Sequence, residues 1–422
     1  MTHIAFITLF LGLVTGQHPI QMKVTGPAAK IEFQVDGQVA GVITQPWSAT
    51  INFGLRLRPH RIVARALDES GHELARAEQT INLPQSLSQV QLVLERNTSG
   101  WPIAVQMLWH SLEADEPTSA SISLDGKPLV IDEHLHAAIP HVDLQKPHVL
   151  RGRAMAPSRI PSSTELAFGG GIEDQADAHL TAIAVRVLHA GASIERSLRM
   201  GGASPKVVAV EQLPGEVMIV RHPIPIETAI RLDPMGLHSK VVPPAAYGRT
   251  ADAPAATFVW PVGTRSAASG HPTLFDWSGP VPFNGADGLK MLLARTAGPP
   301  FSSLRFAYAV VVAGMLAIDS RRPRAVVLIL GEAGRDDSEI TPELVRDYLR
   351  SIGVPLYVWS LGGADTREWG SATDISSPSG YRKAFEQLQA DLQSQRIVWI
   401  DGDHLPADVT SVSEDVQTLA QP

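Results

Sequence analysis

The residues that could do chemistry sit in four short stretches. In EVMIVRHPIPIET, an apolar strand-like run stops at Arg221-His222, and two prolines follow, Pro223 and Pro225. Further on, Ser302-Ser303 offers hydroxyls, and the loop after the apolar run Arg324 to Leu330 offers Glu332, Asp336 and Asp337. The first and third of these stretches follow apolar strands, at the ends where open α/β sheets bind ligands. Asp336, Asp337 and Glu339 also lie just before a helix that starts at Thr341, whose positive end they favour. The fourth stretch is DEHLHAAIPH. His134 and His136 share one face of a strand, and with Asp132 or His141 they could hold zinc or copper. That spacing arises readily by chance, and surface histidines are the simpler reading.

An enzyme would show an oriented nucleophile-base pair. The sequence has no Gly-x-Ser-x-Gly elbow, no His-Glu-x-x-His, no phosphate loop ending in Gly-Lys-Ser/Thr, and no Gly-x-Gly-x-x-Gly after the first α/β strand. A hydrolase using His222, or Glu332 with Asp336, is the rival that these residues leave open. The chain reads as non-enzymatic, with no cofactor expected.

Composition narrows the classes further. Net charge is −8, with acidic and basic residues interspersed and no basic stripe, which argues against nucleic acid as the partner. Cysteine is absent, which removes disulfide staples, thiolate metal sites and a Cys nucleophile. Near the start, Ile4 to Val14 is an apolar run of about eleven residues followed by small residues at Thr15-Gly16. It fits the hydrophobic part of a secretory signal and is too short to span a bilayer. Residues 1–17 are therefore expected to be a signal peptide, and the protein to be periplasmic, cell-surface or secreted. Phe306 to Ile318 is uncharged but only thirteen residues long, so it reads as a buried helix.

The positioning elements follow from periodicity. Residues 20–85 alternate apolar and polar at Ile31, Phe33 and Val35, turn at Asp36-Gly37, and carry short strands with regular turns. That pattern predicts an Ig-like β-sandwich. Residues 86–190 repeat it, with SISLDGKPLVI echoing FQVDGQVAGVI, and predict a second sandwich. From residue 204 to 402 strands alternate with helices. ATFVWPV and TLFDWSG read as strands, RAVVLIL and VPLYVWSL as central parallel strands, and RIVWI as the last strand. TPELVRDYLRSIG reads as a helix, with Thr341 as N-cap, Pro342 at its first position and Gly353 as its stop. Alternating β and α implies a doubly wound parallel sheet. Residues 403–422 read as a polar, loosely ordered tail.

The stretch RRPRAVVLILGEAGRDDSEITPELVRDYLRSIGVPLYVWSLGG resembles the fourth strand, loop, helix and fifth strand of the von Willebrand factor A domain family. With tandem sandwiches in front, the chain resembles exported bacterial proteins that carry this domain behind Ig-like modules. The resemblance implies a divalent-cation site that binds an acidic partner residue. Its ligands would be Asp-x-Ser-x-Ser after the first strand, a Thr before the third helix, and an Asp after the fourth strand. Hard cations want such oxygens in near-octahedral array. Here Arg221, Pro223 and Pro225 align with the first three ligands, and none can serve, since proline has no side-chain oxygen and a guanidinium only donates. Ser302-Ser303 falls at the Thr position. Leu330-Gly331 falls at the Asp position, with Glu332 nearby and Asp336-Asp337 further along.

The metal site implied by the resemblance is therefore degenerate. Arg221 either replaces the metal charge, pairing with Glu332 or Asp336, or points to solvent beside two stiffening prolines. The binding surface expected is Arg221, His222, Ser302, Ser303, Glu332, Asp336 and Asp337, presented to a protein partner without metal. The alternative is a metal-dependent adhesion module rebuilt from Ser302, Glu332 and Asp336.

Overall fold

The computed structural model describes residues 2–8, 13–83, 88–111, 116–155, 161–170, 180–189, 191–222, 253–262, 264–265, 272–273, 275, 277–296, 298–299, 303–331, 336–362 and 364–421. The chain divides into two compact units, Met1–Pro84 and Gln85–Pro422.

The first unit is a β-sandwich. Its strands are β1 (His3–Phe6), β2 (Gln17–Thr25), β3 (Lys30–Val35), β4 (Gln38–Ile43), β5 (Ser48–Asn52), β6 (His60–Leu67) and β7 (Glu73–Ile81). One sheet runs β1-β2-β5 and the other β4-β3-β6-β7. Alternate side chains point inward from each strand, so Ile20, Ile31, Phe33, Ile51 and Ile62 meet in one core. Asp36 and Gly37, at φ 52° and 78°, make the two-residue turn expected between β3 and β4. Part of the segment expected to be a signal peptide, His3–Phe6, supplies an edge strand. His3–Phe6 pairs antiparallel with Met22 to Thr25, and Val14 is buried against the core. Ile4 and Phe6 lie two residues apart, and that spacing lets both pack on the core from one strand face.

The second unit begins with another sandwich: β8 (Ser88–Arg96), β9 (Pro102–Ser111), β10 (Ser119–Leu124), β11 (Lys127–Leu129), β12 (His136–Ala138), β13 (Pro147–Met155) and β14 (Pro161–Gly169). The sheets run β11-β10-β13-β14 and β12-β9-β8, enclosing Leu92, Val105, Ile122, Leu150 and Phe168. The two sandwiches repeat more than their hairpins. PHRIVARAL on β6 matches PHVLRGRAM on β13. In each module the turn aspartate grips the histidine of that phrase. Asp36 Oδ2 lies 2.8 Å from His60 Nδ1 and Asp125 Oδ2 lies 2.7 Å from His148 Nδ1. The other carboxylate oxygen accepts the next backbone N–H, from Arg61 at 3.0 Å and Val149 at 2.9 Å. Burial alone would push the Asp36 carboxyl up. The His60 and Arg61 hydrogen bonds outweigh it and hold the group below the usual carboxylate value.

Beyond the sandwich lie β15 (Leu180–Val187), α1 (Ile194–Ser197), β16 (Leu198–Met200), β17 (Val207–Glu211), β18 (Glu216–Arg221), β19 (Ala255–Val259), β20 (Thr264–Arg265), β21 (Pro272–Thr273) and β22 (Val281–Pro282). Next come α2 (Gly285–Arg295), α3 (Phe306–Asp319), β23 (Arg324–Leu330), α4 (Pro342–Ser351), β24 (Leu356–Ser360), β25 (Ala372–Asp374) and α5 (Pro378–Ser394). The chain closes with β26 (Gln395–Asp401), β27 (Val409–Ser411) and β28 (Val416–Thr418).

The sheet that carries the strand-end candidates runs β22-β19-β18-β23-β24-β25. Neighbouring strands are parallel except β22, which runs antiparallel to β19. Numbered along the chain, its described strands lie 3-2-1-4-5-6, an order in which direction reverses between β18 and β23. The continuous apolar runs fit burial on both faces, and every residue of β18, β19 and β23 is buried. Val217, Ile219, Val327 and Ile329 pack with α2 and α5, while α3 lies against β18 and β23. The α4 cap is as expected: Thr341 Oγ1 accepts Leu344 N–H at 3.3 Å, with Pro342 next and Gly353 at φ 66°.

Several expected elements fall elsewhere. RIVWI, expected as the last parallel strand, is β26 of an antiparallel sheet β17-β26-β15-β28. β15, expected in the second sandwich, belongs to that sheet too. The expected loose tail supplies β27 and β28, with Val409 and Val416 buried. Its apolar residues are too sparse to show a period, yet Leu405, Val409, Val416 and Ala420 are buried. TLFDWSG is not a strand of this sheet among the described residues: Thr273 ends β21, which pairs with β20, Trp277 makes a bridge to Val259, and β22 takes the edge position.

Charged groups join these layers within the second unit. Arg151 of β13 reaches Glu211 of β17 at 3.0 Å, and Arg153 reaches Asp319 of α3 at 2.9 Å. Arg324 opens β23 fully enclosed. Its guanidinium donates to Gly353 O at 3.3 Å and to Ile318 O and Ile352 O at 3.5 Å, thereby covering the C-terminal ends of both α3 and α4. Burial pushes its pKa down to about 9, so it is charged at neutral pH.

Candidate functional site

The strand-end site is built around Arg221. As the last residue of β18 it pairs with Ile329 of β23, beside the point where strand order reverses. Alternation along β18 puts Arg221 on the same face as Val217 and Ile219, the face covered by α2 and α5. Its exposure is 0%. The guanidinium carbon lies 5.1 Å from the Trp260 ring centre and 5.6 Å from that of Phe258. Those two rings stack on each other at 5.6 Å.

Arg221 Nη1 donates to His222 O at 2.8 Å, and Nη2 donates to Thr296 O. Thr296 is the C-cap of α2, so the cation faces the negative end of a helix. Aromatic faces add a second attraction for it. Burial pushes its pKa down to about 10, which still leaves it charged at neutral pH. Of the two expected arrangements, the solvent-facing one is overturned.

Pairing of Arg221 with Asp336 is overturned as well. Asp336 Oδ1 accepts N–H groups from Phe306 and Ser338, both at 3.0 Å, and Oδ2 accepts from Ala307 at 3.1 Å. Its carboxylate thus caps the first turn of α3, not the helix at Thr341 that the sequence suggested. α3 covers the sheet from the side opposite α2 and α5, which is why the two charges do not meet. Asp336→Ala is expected to destabilise the protein by about 1–2 kcal/mol through loss of this cap, read from urea unfolding.

The remaining candidates spread out. Leu304 bridges to Asp336 and accepts Asp337 N–H at 2.8 Å, which brings Ser303 beside that loop, with Asp337 itself exposed. His222 is partly buried, and burial and then the Arg221 charge hold its pKa below the usual value, so it is neutral at pH 7. Ser302, Glu332, Pro223 and Pro225 lie outside the described residues.

The residues brought together are thus Arg221 with His222, and Ser303 with Asp336 and Asp337. A divalent cation does not fit the described set: the first ligand position holds a buried cation, and the Asp336 carboxylate is already engaged by three N–H groups. The histidine candidate fares no better. Asp132 Oδ1 accepts from His134 and His136 N–H at 2.9 Å, and His141 stacks on Trp101 at 5.1 Å. Among the described residues no group of three possible ligands converges on a metal.

Sequence reading missed Phe258, Trp260 and Thr296 as the cradle of Arg221. The signal was present in ATFVW, where two aromatics two residues apart must share one face of a strand. It also missed the repeated Asp-His grip, which a comparison of PHRIVARAL with PHVLRGRAM would have found.

No family model and no curated protein matches the chain. Solved structures to which it is similar include the fibronectin(III)-like modules of CbhA from Clostridium thermocellum. That match has 14% identity and a TM-score of 0.16, covering 41% of this chain and 97% of that one. Another is the central fibronectin-III array of RIM-binding protein, at 12% identity and TM-score 0.20, covering 45% of this chain and 79% of that one. At these scores the likenesses assign neither fold nor function. Among the described residues no helix is long and apolar enough to cross a membrane.

Proposed function

We propose that this chain is an exported, non-enzymatic interaction or scaffold protein, in which β-sandwich modules carry a divergent A-type α/β domain whose metal site is closed. The observation that carries the reading is the buried Arg221 cation at the end of the central strand. A permanent positive charge held by Thr296 and the Phe258-Trp260 pair repels a divalent ion from the position where the resemblance requires an aspartate. The doubly wound order of the sheet supports the A-type reading. The ion pairs from Arg151 and Arg153 support a scaffold role, since they tie the second sandwich to the layers behind it. A protein partner would meet the loops at His222, Ser303 and Asp337 without metal.

Thermal unfolding of the full chain tests this, after chelator treatment and then with magnesium, manganese or calcium. A cation at a hundred times its dissociation constant would stabilise by about 2.7 kcal/mol, a shift of several degrees. The reading expects no shift with any of the three. A shift would revive a metal-dependent adhesion module. Export rests on the apolar run Ile4 to Val14, and N-terminal sequencing of protein recovered outside the cytoplasm tests it. Failure to recover the protein there would remove that half of the reading.

A further inference from the structure

Away from the strand ends, a cleft of about 320 Å³ opens between α4, the turn before β25, and β28. That is the small end of the range for ligand sites. Its charged lining has one sign: Arg186, Arg346 and Arg350 reach it, and none of its described lining residues is acidic. Two of these cations are answered from elsewhere. Asp391 holds Arg186 at 2.6 Å, and Asp347 holds Arg350 at 2.9 Å. Arg346 has no ion pair among the described residues, and its Nε is buried without a hydrogen-bond partner among them.

The backbone is fitted to that guanidinium. Gly370 adopts φ 92° and ψ −151°, a conformation essentially reserved for glycine. A Cβ there would meet Arg346 Nη1 at 3.0 Å, so any side chain would crowd the group. A planar guanidinium takes carboxylate or phosphate oxygens in pairs. Val354 and Leu356 add apolar wall, which suits an organic body behind the charged head.

We propose that this cleft is an anion-binding site, anchored by Arg346, for a small organic oxyanion with a carboxylate or phosphate head. The assignment is independent of the reading given to the strand ends.

The test is calorimetric titration of the full chain with inorganic phosphate and with butyrate, each at constant ionic strength set with chloride, in wild type and Arg346→Gln. Saturable binding of one of the two anions is expected, weakened at least tenfold in the variant. The anion that binds assigns the head group. Saturable binding by neither, or equal affinity in the variant, overturns the proposal. If Arg346→Gln does not fold, Arg346→Lys keeps the charge and loses the paired geometry. Unchanged affinity in that variant overturns the proposal too.

Discussion

Arg221→Ala is expected to destabilise the protein by about 3–5 kcal/mol, the range for truncating a large buried side chain with a carbonyl left unsatisfied beside it. The loss has three parts. Thr296 O at the end of α2 loses its donor, the Phe258-Trp260 pair loses the cation over it, and a cavity opens where the side chain lay at 0% exposure. Arg221→Met separates them: it refills most of the volume and removes the buried charge, so it should cost about 1–3 kcal/mol, mainly for the unsatisfied carbonyl. Urea unfolding followed by tryptophan fluorescence reads both, since Trp260 is buried beside the substituted position. Equal stability of wild type and the alanine variant would mean that the cation is not held in this cradle.

The second large effect belongs to Arg324. Its guanidinium covers the carbonyls Ile318 O, Ile352 O and Gly353 O at two helix ends, and its backbone is held by Gln395, whose Oε1 accepts at 2.8 Å and whose Nε2 donates to Arg324 O at 3.1 Å. Arg324→Ala should cost about 3–5 kcal/mol, from the cavity left by a large buried side chain and the carbonyls left unsatisfied, with both helix ends left open at once. Gln395→Ala isolates the backbone clamp and should cost less, about 1–3 kcal/mol. Hydrogen exchange should then rise in the last turns of α3 and α4 in Arg324→Ala but not in Gln395→Ala. Exchange confined to one helix would contradict the double cap.

Much of this arrangement was legible in the residues. The hairpins at Asp36-Gly37 and Asp125-Gly126 followed from a dipeptide whose positive φ is preferred in two-residue turns. β23 and α4 followed from a continuous apolar run and from a cap whose three signals agree. RIVWI misled because an apolar strand carries no mark of which sheet it joins: β26 has the texture of β23, yet pairs antiparallel with β15 and β17.

The N-terminal run is ambiguous for a related reason, since apolarity alone suits both a signal and an edge strand. At the candidate site, the type of residue 221 was informative, but its direction was not. Whether a strand's last side chain faces a helix or solvent depends on parity, and parity needs the strand's end to be known to the residue. Asp336 was misplaced because it caps a helix thirty residues earlier in the chain, a long-range partner that no local pattern reveals.

The central claim is that the end of β18 is closed by a cation and takes no metal. Manganese is the direct probe, because the free ion has an electron paramagnetic resonance signal that is lost on binding. With the full chain in excess over manganese, the closed site predicts a signal equal to that of buffer alone. A stoichiometric loss of signal that Arg221→Ala leaves unchanged would contradict the account, since the cation would then not be what governs the site.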